Sequence, residues 1–106
     1  MTLRDQIIRT QIKQAVQQAD PTATAILFGS RATGKAREDS DWDVLVLVDK
    51  PVVAFDEERL LMRNLYDVEL ATGEPISTLV YSVVDWDSKL SVTPLYKSIK
   101  NEGITL

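Results

Sequence analysis

Apolar positions recur at two different periods along this chain. From residue 3 to 19 they follow helical spacing: Leu3, Ile7, Ile8, Ile12, Ala15, Val16 and Ala19 share one face, while Arg, Lys and Gln fill the other. Asp20-Pro21 ends that helix, because the residue before a proline is pushed out of helical geometry. Residues 23 to 28 form a short apolar run with a β-branched member, which predicts a buried strand. A turn or short helix is expected over 30 to 36, loosened by Gly34. A second strand is expected over 41 to 48. Val44 to Val48 are apolar at every position, as in a central strand covered on both faces.

Lys50-Pro51 breaks that strand. The helical period then returns over 57 to 71, with Asp56 as its expected cap and Leu61, Leu65 and Val68 as its buried stripe. Phe55 and Leu60 are placed to form a hydrophobic staple across the cap, and Gly73 closes the helix. Pro75 leads into a third strand over 76 to 81. Ser82 and Asp85 suit a capping box for a short turn through Trp86, and Thr93-Pro94 opens a last helix carrying Lys97 and Lys100. Strands and helices therefore alternate around one small sheet, an α/β or mixed α+β class in a single domain of 106 residues.

The candidate chemistry lies between the first two strands. Gly29-Ser30 follows the first strand, ten residues intervene, and Asp41 and Asp43 then flank Trp42 at the mouth of the second strand. Glycine permits a sharp bend or a close approach to a ligand, and Ser30 stands where a helix cap belongs. Free N–H groups at such a bend suit phosphate oxygens. Residues two apart on a strand share a face, so Asp41 and Asp43 converge while Trp42 points the other way. Two neighbouring carboxylates repel unless a cation joins them, and oxygen-only ligands select Mg²⁺ or Mn²⁺. The chain holds neither cysteine nor histidine, which excludes thiolate nucleophiles, zinc–thiolate sites and every Ser-His-Asp scheme.

A net charge of −4 argues against broad binding to a nucleic-acid backbone, although Arg31, Lys35 and Arg37 make the motif loop locally basic. For these three, triphosphate contact and a solvated loop are both open readings. No apolar stretch approaches the ~20 residues of a membrane span, and the first residues lack a signal-peptide core, so a cytoplasmic setting is expected. Tyr66, Tyr81, Trp86 and Tyr96 are read as packing residues, with base stacking as the alternative for Tyr81 and Trp86.

The strand, Gly29-Ser30, spacer, Ser40-Asp41-Trp42-Asp43 and second strand together resemble the motif of the nucleotidyltransferase superfamily that includes DNA polymerase β and kanamycin nucleotidyltransferase. Within it the chain looks closest to the small minimal nucleotidyltransferases, some of which are antitoxins paired with helical HEPN-type toxins. The resemblance implies a mixed sheet with helices packed mainly on one face. It implies transfer of AMP from ATP to a hydroxyl acceptor, a tyrosine of a HEPN-type partner being one candidate. In that scheme Asp41 and Asp43 hold Mg²⁺, and Gly29, Ser30, Arg31 and Lys35 contact the nucleotide.

The family supplies a third carboxylate from a neighbouring strand. Here Ser77 or Thr78 stands at that position, Ser77 being the one taken, with Glu74 or Glu69 as substitutes if the fold brings them near. The alternative reading follows from that departure: a catalytically weak or inactive module that binds nucleotide or a protein partner.

Overall fold

The computed structural model describes residues 2–106. Helix α1 (Leu3–Ala19) leads into β1 (Thr24–Phe28), the single turn α2 (Ser30–Thr33) and β2 (Trp42–Val48). Helix α3 (Phe55–Thr72) then precedes β3 (Ile76–Ser82), α4 (Val83–Ser88), α5 (Pro94–Glu102) and β4 (Ile104–Thr105). The strand order is β3-β2-β1-β4. β1 runs antiparallel to β2 and β4, and β2 runs parallel to β3. The parallel pair follows from its connection: α3 carries the chain back across the sheet, as a parallel crossover requires.

The period-2 alternation of β2 sorts its side chains between two apolar clusters. Trp42, Val44, Val46 and Val48 pack under α1 and α3 with Ile8, Ile12, Leu61 and Leu65. Leu45 and Leu47 face the opposite way, onto Trp86 of α4 and Ile99 of α5. The two long helices thus cover one face of the mixed sheet, and short ones cover part of the other. Central burial of Val44 to Val48 holds as expected.

Several local expectations need correction. α1 buries Ile8, Ile12, Ala15 and Val16, but Leu3 and Ile7 are exposed. Its N-terminus is closed by a capping box between Thr2 and Asp5, a pairing that sequence reading overlooked. α3 starts two residues before the expected boundary. Ala54 is its N-cap without a side-chain bond, and Asp56 lies inside the first turn, where its charge still suits the helix dipole. No staple forms, because Phe55 is 72% exposed and instead lies under the Arg59 guanidinium. Tyr66 is also exposed, whereas Tyr81 stacks on Trp86 and Tyr96 packs tilted against the same indole. Strand β4 had no clear signal in two residues. Among the described residues, no helix is long and apolar enough to cross a membrane.

An acid pair ties the end of α1 to the start of α3. Asp20 accepts hydrogen bonds from the Thr22 amide and hydroxyl at 2.9 and 2.7 Å, and Lys50 Nζ stands 3.8 Å from its other oxygen. Glu57 shares the same lysine at 3.2 Å. The neighbouring Glu57 carboxyl, helped by Thr22, holds the Asp20 carboxyl down at about 2; Asp20, together with burial, pushes the Glu57 carboxyl up. The Asp20 contribution to stability is present above its unfolded value and fades as pH falls toward 2. The Glu57 contribution has the opposite sign: it is present at low pH and is lost as pH rises through the raised value. Glu57→Gln keeps a donor for Asp20 without the titration. Thermal melts should therefore show the variant gaining on its parent as pH rises through the raised Glu57 value.

Candidate functional site

The site is built where β1 ends and β2 begins. Phe28 is the register partner of Asp43, so the bend after β1 lies beside that carboxylate. Gly29 takes φ 72° and ψ −156°, a conformation that side chains disfavour. A Cβ added there would run into Asp43 Oδ2 and lie 3.2 Å from its Cγ. The glycine is thus required twice, once for its backbone and once for the space it leaves. Gly29, rather than Ser30, is the N-cap of α2, and Ser30 is its first residue. The Gly29 carbonyl accepts from the Ala32 and Thr33 amides at 3.1 and 3.2 Å. The amides of Ser30 and Arg31 make no hydrogen bond among the described residues. Because α2 is a single turn, its dipole is small, and local N–H groups carry any attraction for an anion.

Asp41 is exposed just ahead of β2, and Asp43 is half-buried inside it. Trp42 between them is 1% exposed and packs under α1 and α3. Alternation therefore sends both carboxylates to the opposite side of the sheet, as expected. Burial pushes the Asp43 carboxyl above its ordinary value, and the Asp41 charge adds to that push. Two hard oxygen donors that repel each other, beside a bend with free amides, fit Mg²⁺ or Mn²⁺ and a polyphosphate.

Ser77 is the parallel register partner of Asp43 and is exposed on the same face. It sits at the position the motif assigns to a third acid. Neither substitute reaches it. Glu74 pairs with Arg4 at 3.2 Å and Arg31 at 3.8 Å, and Glu69 accepts from the Ile76 amide at 2.8 Å. Among the described residues, no group of three or more His, Cys, Asp or Glu side chains is arranged to hold a metal ion.

Arg31 departs from the expected phosphate contact. Its guanidinium lies 4.8 Å from the centre of the Trp42 ring, on the side of the sheet away from Asp43. From there it donates to the carbonyls of Ser40 at 2.9 Å and Glu38 at 3.3 Å. Its side chain is 11% exposed. Arg31 thus braces the loop from behind. Ser40, whose hydroxyl accepts from the Arg37 amide at 2.8 Å, closes a turn in the same loop. Lys35 and Arg37 are exposed on the loop, and neither side chain makes an ion pair among the described residues. These two remain as the local cations. The bracing role had no sequence signal, because Glu74 and Arg31 are far apart in the chain.

Residues 9–105 match the family model described as nucleotidyltransferase domain. No curated protein matches the chain.

Proposed function

The chain belongs to the nucleotidyltransferase domain family, and from that premise we propose that it transfers a nucleoside monophosphate, AMP from ATP, to a hydroxyl acceptor with Mg²⁺ or Mn²⁺. The observation that carries this reading is the cradle in which Gly29 gives its side-chain space to the Asp43 carboxylate. Asp41 and Asp43 would hold the cation. The Ser30 and Arg31 amides would receive phosphate oxygens, with Lys35 close enough along the loop to add charge. When bound, the cation neutralises charge developing at the α-phosphorus and on the leaving pyrophosphate. The acceptor oxygen forms a bond to the α-phosphorus as the bond to pyrophosphate breaks. The acceptor proton passes to solvent, because Ser77 offers no carboxylate to take it.

A separate helical protein of the HEPN type, presenting a tyrosine, is the acceptor we favour, and a cytoplasmic setting accords with it. The second reading is a nucleotide- or partner-binding module with weak or no turnover. It is supported by Ser77 in register with Asp43 while Glu69 and Glu74 are engaged elsewhere.

Calorimetric titration with a non-hydrolysable ATP analogue tests the shared premise. Binding should require Mg²⁺, and Gly29→Ala should weaken it at least ~10-fold, since steric intrusion of that kind costs over a kcal/mol. Equal affinity with and without Mg²⁺ would sink the assignment. Labelled ATP with the helical protein then separates the readings: label on the acceptor supports the transferase, and tight binding without label supports the module.

A further inference from the structure

Glu74 does not reach Ser77, and its two carboxylate oxygens face two different arginines. Oε1 lies 3.2 Å from Arg4 Nε, and Oε2 lies 3.8 Å from Arg31 Nη2. The Glu74 side chain is 15% exposed and that of Arg31 11%. Glu74 is the one carboxylate paired with Arg31 among the described residues. A guanidinium this deep needs a counter-charge, because a buried charge left unpaired is costly. Arg4 in turn steadies the acid. Its Nη2 donates to the Thr72 carbonyl at 2.9 Å, and the Glu74 amide donates to the Thr72 hydroxyl at 3.2 Å. Backbone and carboxylate of Glu74 are thus both tied to the end of α3.

The path from Glu74 leads to Asp41. Arg31 Nη2 donates to the Ser40 carbonyl, in the peptide unit just before Asp41, at 2.9 Å. The peptide unit just after Asp41 is held as well: the Trp42 amide donates to the carbonyl of Pro75, the neighbour of Glu74, at 2.8 Å. Asp41 therefore stands between two peptide units tied to Glu74-Pro75, one through Arg31 and one directly. Asp43 is fixed by its place inside β2, whereas Asp41 lies one residue ahead of that strand. Asp41 is exposed and makes no ion pair among the described residues, so these backbone ties decide where its carboxylate stands.

We propose that Glu74 is a positioning residue of the cation site, setting the place of Asp41 relative to Asp43 through Arg31. This rests on the reading of Asp41 and Asp43 as the pair that holds Mg²⁺ or Mn²⁺. Groups that only orient metal ligands are worth about 10- to 100-fold in metal affinity. Charge and positioning make different predictions here. By charge alone, removing the Arg31 cation tightens binding of a metal ion, and removing the Glu74 anion weakens it whether or not Arg31 is present. By positioning, both removals weaken binding, and they act as one.

Mn²⁺ affinity of the full chain, read from the electron paramagnetic resonance of the free ion, separates these. Arg31→Gln should weaken binding about 10-fold, and Glu74→Gln by a similar factor. The double variant should bind no more weakly than Arg31→Gln, because contributions that run through one shared residue do not add. Far-ultraviolet circular dichroism should match the parent throughout. Should either variant fail to fold, Glu74→Asp and Arg31→Lys take their places with the same losses expected, since each keeps the charge and shortens the reach. A parent that binds Mn²⁺ no better than Glu74→Gln overturns the proposal and leaves the cation reading intact. Tighter binding by Arg31→Gln does the same, and so does a full further loss when Glu74→Gln is added to it. A parent that binds no Mn²⁺ removes the cation reading, and the proposal falls with it.

Discussion

Asp43→Asn should yield a protein that melts higher than its parent in metal-free buffer and has lost nucleotidyl transfer. Both effects have one source. The Asp43 carboxyl is raised by burial and by Asp41, so its charged form is disfavoured in the folded chain. The sign is that of a raised acid: its contribution is favourable at low pH and is lost as pH rises through the folded value. Asparagine removes that loss at neutral pH while keeping the shape. In the proposed site it also replaces one of the two carboxylates that would hold the cation by a neutral amide, and the cation's charge stabilisation is worth several kcal/mol. Transfer should then fall on the order of 10³-fold. The gain in stability should shrink as pH falls and the parent carboxyl takes up its proton. Melts at several pH values and a single-turnover assay read the two effects. A variant less stable than its parent at neutral pH would contradict the raised carboxyl, and one that keeps full transfer would remove Asp43 from the chemistry.

Ser77→Asp should act in the opposite direction. Register places residue 77 beside Asp43 on the exposed face, so a carboxylate there completes a three-acid cluster without disturbing the core. In metal-free buffer the added charge should lower the melting temperature, since three acids then crowd one patch. With Mg²⁺ the loss should reverse, because a cation that binds only the folded chain stabilises it. If the chain is a transferase limited by activation of the acceptor hydroxyl, the rate should rise on the order of 10- to 100-fold, the lower part of the range for a positioned base. Tighter Mg²⁺ binding with no rise in rate would favour the binding-module reading.

The parts of this fold that were legible in the sequence are those set by local periodicity. α1, β1, β2, α3 and β3 all follow from spacing of apolar residues, and the two-faced burial of β2 from its unbroken apolar run. The convergence of Gly29, Asp41 and Asp43 was legible because each depends on a turn or on strand alternation. What stayed hidden depends on distant partners. Arg31 looked like a phosphate ligand because it follows the bend, but its surroundings are set by Trp42 and Glu74. Glu69 and Glu74 looked available as third acids until the Ile76 amide and two arginines claimed them. Phe55 looked like half of a staple and Tyr66 like a packing residue, and the orientation of α3 left both outside.

The Arg31 brace has a thermodynamic consequence. Two carbonyls of the loop are pulled backward onto a guanidinium that itself rests on a buried indole. Much of the loop's freedom is thereby surrendered during folding, before any ligand arrives. A docking polyphosphate meets a preorganised surface and forfeits little disorder, so more of each new contact survives as affinity.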